Sequence, residues 1–242
     1  QRVDGRVRGN RPITAVPRGE VPDGRRDAPR AGGAVGRAHV DMALDGWLDY
    51  LRVFPQLQWE KDYGEREGYG FTHHRKAVYE PVGVVAAITP WNVPLYVNVG
   101  KMVAALLAGC TVILKPAPDT PGMGAIFGEL AAEAGFPAGV INMVTGLGET
   151  AGDYLVKHAD VDKVAFTGST EIGKLISRNA TNTLKRVTLE LGGKSPVIVM
   201  PDADPAKVGR SAAGAIFVNS GQVCIAGSRL LRDLGCTREG PR

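Results

Sequence analysis

A doubly wound α/β fold built on a parallel sheet is what this sequence predicts, and three observations carry the prediction. Short aliphatic runs recur at 82–88, 111–114, 140–144 and 163–166. Helix-length segments separate them, as parallel crossovers require. Glycine stands at two strand-to-helix junctions, Thr145-Gly146-Leu-Gly148 and Phe166-Thr-Gly168-Ser169, where backbone must turn tightly or meet a ligand closely.

Each element has its own reason. Met42, Trp47, Leu48, Leu51 and Phe54 fall at helical spacing, and Pro55 ends the helix they predict. Residues 60–80 are charged and aromatic and read as a loop and an extended arm. Residues 82–88 form a buried strand, and 93–107 a helix closed by Gly109. A second strand at 111–114 leads to a helix at 120–134, which runs into Gly135-Phe-Pro137. The third strand, 140–144, precedes a helix near 150–158. The fourth, 163–166, precedes a helix that opens at Ser169 or Thr170.

Composition narrows the classes. Apolar residues make up 44% and charged residues 22%, ordinary values for a globular domain. No apolar run reaches the roughly 20 residues that span a bilayer, and Val99 to Leu107 is interrupted by Gly100 and Lys101. No signal-peptide core follows the N-terminal arginines. Three cysteines form no disulfide framework, and none has zinc-ligand spacing, so a cytoplasmic location and no metal are expected.

The net charge of +4 is unevenly placed. Residues 1–40 hold nine Arg, no Lys and four acids, whereas the rest has 20 basic against 21 acidic side chains. The segment lacks aromatics and is dense in Gly, Pro and Arg, so it is expected to be a disordered arm. A basic arm that touches polyanions is the competing reading, but the neutral body gives no support for nucleic-acid or membrane binding. The tail 232–242 shares this flavour, which translation of GC-rich DNA out of frame would also produce.

Four motifs carry chemistry. Gly146-Leu-Gly148-Glu-Thr-Ala-Gly152 nearly matches a dinucleotide fingerprint, though an ordinary βα turn explains it as well. At Gly168-Ser169-Thr170, a helix start with orphan N–H groups either holds an anion or is simply capped. Lys115 closes the second strand, where a solvated lysine is the bland alternative. Glu190 and Cys224, 34 residues apart and both flanked by glycine, supply a carboxylate and a thiol. Such a pair suits thiolate attack on a carbonyl followed by base-assisted hydrolysis. Taken alone, Glu190 is equally a strand-end acid and Cys224 a packed thiol; Cys110 takes the packed reading.

Ile88-Thr-Pro-Trp-Asn92, Phe166-Thr-Gly-Ser169, Val187-Thr-Leu-Glu190-Leu-Gly-Gly-Lys-Ser-Pro196 and Gly221-Gln-Val-Cys224 together resemble the aldehyde dehydrogenase superfamily, from about residue 41 to about residue 231. The resemblance implies a Rossmann-like NAD(P)-binding domain over 41–190, with an N-terminal helix and extended arm. Residues 191–242 then begin a truncated catalytic domain. It implies Cys224 as nucleophile, Glu190 as the base for water, and Asn92 with the Cys224 N–H as oxyanion donors. Cofactor contacts are implied at Ile88, Thr89, Pro90, Trp91, Lys115, Gly146, Gly148, Phe166, Thr167, Gly168, Ser169, Ile172, Gly173, Glu190 and Leu191.

NAD is the expected cofactor, with NADP left open. Pro118 stands where many NAD-using members carry an acid, three residues after Lys115. The expected substrate is a small-molecule aldehyde, oxidised to the acid through a thiohemiacetal and thioester. The family's downstream Glu-x-x-Phe-Gly-Pro segment and its subunit-joining strand are not in the sequence. The chain therefore reads as a fragment of a homo-oligomeric enzyme, and the alternative is an inactive nucleotide-binding remnant.

Overall fold

The computed structural model describes residues 33–232. Most of the arm expected over 1–40, and the tail with Cys236, lie outside the described residues. The described part of that arm corrects the expectation, because helix α1 runs from Gly33 to Val53. The helix is anchored at its middle: Ala43 is buried, and it and Trp47 pack in one cluster with Val99, Met102 and Val103. A short 3-10 turn, Phe54–Gln56, follows where Pro55 ends the helix.

Residues 60–80 are more ordered than a loop. Strands β1 (Glu60–Gly68) and β2 (Phe71–Val78) pair antiparallel as a hairpin with a bulge between Asp62 and Glu65. Tyr69 and Gly70 at its tip both have positive φ, the geometry that matches a two-residue turn to the twist of the strands.

The core is a five-stranded sheet of β3 (Val84–Ile88), β4 (Thr111–Lys115), β5 (Ile141–Met143), β6 (Lys163–Gly168) and β7 (Arg186–Leu191). The order is β5-β4-β3-β6-β7, and every pairing is parallel. The chain builds outward from β3 to β5, then crosses back to lay β6 on the other side of β3. The switch point between β3 and β6 opens a crevice at the carboxyl ends of the strands.

Both faces are covered, which is why the central strands read as unbroken apolar runs. On one face Ala87, Val112 and Leu114 pack with α2 (Pro94–Leu107) and α3 (Gly122–Glu133). On the other, Ala86, Ile88, Val164 and Phe166 pack with α4 (Asp153–Lys157) and α5 (Thr170–Ala180). Leu114, Val112 and Val164 are among the largest fully buried side chains, and each contributes about 1.5–3 kcal/mol by burial. The helix expected near 150–158 begins as a π-turn, Gly148–Gly152, before α4.

Beyond β7, strands β8 (Pro196–Val199) and β9 (Arg229–Arg232) pair parallel as a separate two-stranded sheet, with α6 (Pro205–Phe217) between them. Ile198, Phe217, Val218 and Leu230 are exposed there. Among the described residues no helix is long and apolar enough to cross a membrane.

Candidate active site

Register brings the sheet's chemistry to one edge. Ile88 on β3 lies opposite Lys115 on β4 and Phe166 on β6, and Thr167 on β6 lies opposite Glu190 on β7. A cleft of ≈ 1770 Å³ runs along this edge, lined by these five residues and by Thr89, Pro90, Trp91, Asn92, Gly148, Gly168, Ser169, Ile172 and Cys224.

The middle of the cleft is a helix start. Ser169 is the N-cap of α5, and its hydroxyl oxygen accepts from the Ile172 N–H at 3.3 Å. The other first-turn N–H groups have no intrahelical partner and carry the positive end of the helix dipole. Gly168 has no room for a side chain, since a Cβ there would collide with the Phe166 ring. Thr89 is buried at the wall, and its hydroxyl has no hydrogen-bond partner among the described residues. Bare backbone, orphan donors and an unpaired hydroxyl fit a phosphate-bearing ligand.

The β7 end holds the thiol. Cys224 is half-buried, and Glu190 lines the same cleft close enough for its charge to act on the thiol. Burial, then the nearby Glu190 carboxylate, hold the thiol above its ordinary pKa. The turn before it is unusual, because Asn219, Ser220 and Gly221 all have positive φ (49°, 57° and 78°). Consecutive left-handed residues cost free energy unless neighbours hold them. Asn92 does so. Its Nδ2 donates to Gln222 O at 2.7 Å, and Asn219 Nδ2 donates back to Asn92 O at 3.0 Å.

A thiol, a carboxylate and amide donors beside an anion-binding helix start can perform nucleophilic addition to a carbonyl with later hydrolysis. The sequence model of the aldehyde dehydrogenase family matches residues 33–236. The chain belongs to that family.

Similarity to individual aldehyde dehydrogenases is close. Phenylacetaldehyde dehydrogenase of Pseudomonas fluorescens is 61% identical over 150 residues, which is 62% of this chain and 30% of that protein. The crystal structure of an NAD-dependent aldehyde dehydrogenase from Sinorhizobium meliloti matches with a TM-score of 0.77 and 40% identity, over 86% of this chain and 40% of that one. A structure described as an E. coli NADP-dependent enzyme matches at 0.75 and 37%, over 84% and 41%. The chain spans about a third of the length of the curated relatives it matches.

Three of the aldehyde dehydrogenase positions expected to touch cofactor do not line the cleft. Gly173 faces β7, where a Cβ would meet Leu191 Cδ2 at 2.7 Å, so its bareness lets helix and strand approach. Leu191 correspondingly packs inward with the core. Gly146 has φ 146°, and a Cβ there would meet Ala151 Cβ at 2.9 Å, so it serves the turn itself.

Sequence reasoning missed Lys101. It is half-buried on α2, and burial pushes its ammonium down to about 8, while the Glu190 charge pulls it up and Lys163 pushes it down. A lysine between valines and methionine reads as a solvated stem until the tertiary fold buries it. Asn219 and Gln222 were missed because their partner, Asn92, is about 130 residues distant.

One prediction follows from the thiol's surroundings. Glu190→Gln removes a negative charge that opposes the thiolate, so the Cys224 thiol pKa should fall. Alkylation by iodoacetamide, followed at Cys224 by peptide mass spectrometry across pH, should show its midpoint moving to lower pH. An unmoved midpoint would mean that burial alone sets the thiol.

Proposed function

We propose that this chain carries the nucleotide-binding part and the nucleophile of an enzyme that oxidises an aldehyde to a carboxylic acid with NAD(P). One observation carries the reading: Cys224 and Glu190 line the same cleft as the Gly168-Ser169 helix start, with the Glu190 charge close enough to act on the thiol. Glu190 is in position to take the thiol proton and to release it to solvent before hydrolysis. The sulfur then bonds to the aldehyde carbon, and the carbonyl electron pair moves to oxygen. Asn92, whose amide has a second N–H beside the one given to Gln222, and the Cys224 N–H are the donors for that oxyanion.

Bound in the cleft, the nicotinamide supplies the acceptor for the hydride that leaves this carbon. The resulting thioester is opened by water, whose proton passes to Glu190. The carbon–sulfur bond breaks, and the acid leaves. Gly148, Phe166, Thr167, Gly168, Ser169, Ile172, Lys115, Thr89, Pro90 and Trp91 are the residues along the cleft that would hold the cofactor.

The longer form of the protein is read as a cytoplasmic homo-oligomer. Exposed Tyr63, Tyr69, Phe71 and Tyr79 on and beside the hairpin support the second half of that reading, being surface of the kind that subunits cover. The unpaired state of Cys110 and Cys224 supports the first.

The test is a titration of the chain with NAD by calorimetry, followed by aldehyde-dependent formation of NADH. Binding together with turnover supports the proposal. Binding without turnover reduces it to a nucleotide-binding protein, and the absence of both ends it.

A further inference from the structure

The cleft has two chemically different ends, and the second one bears on coenzyme choice; the inference rests on the dinucleotide reading above. Sheet order sets the polarity. Glu190 and Cys224 lie at the β7 side, the bare helix start follows β6, and Lys115 ends β4. Lys115 and Glu190 are three strand spacings apart, roughly 14 Å at about 4.8 Å each. One nucleoside cannot touch both. A nicotinamide that reaches the thiol, with its pyrophosphate at Ser169, puts the adenosine over the β4–β5 side.

At that side Lys115 is buried, its stem lies 3.9 Å from where a Gly152 Cβ would stand, and its Nζ donates to Pro116 O at 3.1 Å. Pro118 also lines this end and offers neither charge nor hydrogen-bonding side chain. Asp119, next in sequence, does not line the cleft. Glu149 does, exposed on the turn Gly148–Gly152 whose buried Gly152 packs against the Lys115 stem. Burial lowers the Lys115 pKa, and the Glu149 charge is what pulls it back up.

The remaining charges at this end cancel within themselves. Asp153 accepts from Lys157 at 2.6 Å and from Asn179 at 2.8 Å. Among the described residues no cation lies within salt-bridge distance of Glu149, so both its oxygens remain available to a ligand.

We propose that Glu149 makes this chain select NAD over NADP, its carboxylate accepting a hydrogen bond from the adenosine ribose and repelling a phosphate on the ribose 2′-oxygen. A carboxylate is the right acceptor for a hydroxyl donor, and the wrong neighbour for a group carrying close to two negative charges. Lys115 alone would make this end cationic and would favour the phosphorylated coenzyme. Glu149 cancels that charge, and it does so from a different loop than the vacant acid position at Pro118.

The test is calorimetric titration of the 242-residue chain and its Glu149→Gln and Glu149→Lys variants with NAD and with NADP, each melted without ligand as a folding control. Wild type should bind NAD more tightly. Glu149→Gln should shrink the ratio of the two dissociation constants by about tenfold, the contribution of a hydrogen bond to a charged group. Glu149→Lys should invert the ratio, with unliganded melting unchanged because the position is exposed. NAD binding with an unaltered ratio in both variants overturns the proposal alone. An equal loss of both affinities also overturns it, because that marks a role in shaping the turn. If wild type binds neither coenzyme, the proposal and the dinucleotide reading fall together.

Discussion

Cys224→Ser is expected to abolish aldehyde-dependent NADH formation, by about 10³-fold or more, in whichever form of the protein turns over, this chain or one extended to the length of its relatives. The substitution changes one atom and barely alters volume. A thiol, however, gives up its proton to a neighbouring carboxylate far more readily than a hydroxyl does, and thiolate is intrinsically the stronger nucleophile. Glu190 lines the same cleft and its charge acts on this side chain, so the substitution leaves the carboxylate in place and changes only the acidity of the attacking group. Affinity for NAD should stay within about twofold, because the helix start at Ser169 lies on a different element. Single-turnover kinetics with calorimetry on the same sample separates the two. Turnover that survives would remove Cys224 from the nucleophile's role. Loss of NAD affinity as well would show that the loop, and not the chemistry, had been damaged.

The second large effect is expected at Asn92. Asn92→Ala should lower kcat by about 10²-fold, the usual consequence of losing one oxyanion donor. Affinity for NAD should again change little. Here the structure adds something that the motif does not contain. The Asn92 side-chain amide holds Gln222 O at 2.7 Å, while its main-chain carbonyl accepts from Asn219, so truncation removes one of the two ties on a turn with three positive-φ residues. The Cys224 loop should therefore become easier to cleave in limited proteolysis. Slower turnover with an unchanged cleavage pattern would assign Asn92 to oxyanion donation alone. A faster cut with unchanged kcat would assign it to holding the loop.

The two substitutions differ in how visible their sites were. Gly221-Gln-Val-Cys224 and Glu190-Leu-Gly-Gly are local strings, and the resemblance attached chemistry to them directly. What they do to each other is not local. Thr167 stands opposite Glu190 because β6 and β7 pair in one register, and a shift of one residue would turn Glu190 to the other face. The same holds for the missed Lys101, whose low pKa comes from burial against the upward pull of Glu190. Gly173 belongs to the motif's helix, yet that a Cβ there would meet Leu191 is visible only in the fold.

The sequence by itself determined the α/β alternation, the strand and helix that flank each motif, the family, and the identity of the thiol and carboxylate. These follow from periodicity and from short strings, which depend only on neighbours along the chain. Tertiary structure alone decided where α1 begins, that residues 60–80 form a hairpin, which glycines line the cleft and which pack against protein, that Asn92 grips the thiol loop, and that Glu149 shares an end of the cleft with Lys115. The last two depend on parallel register and on crossovers that bring together residues 130 and 34 positions apart. No local pattern encodes such distances; they are set by how the apolar faces of the helices pack onto the two sides of the sheet.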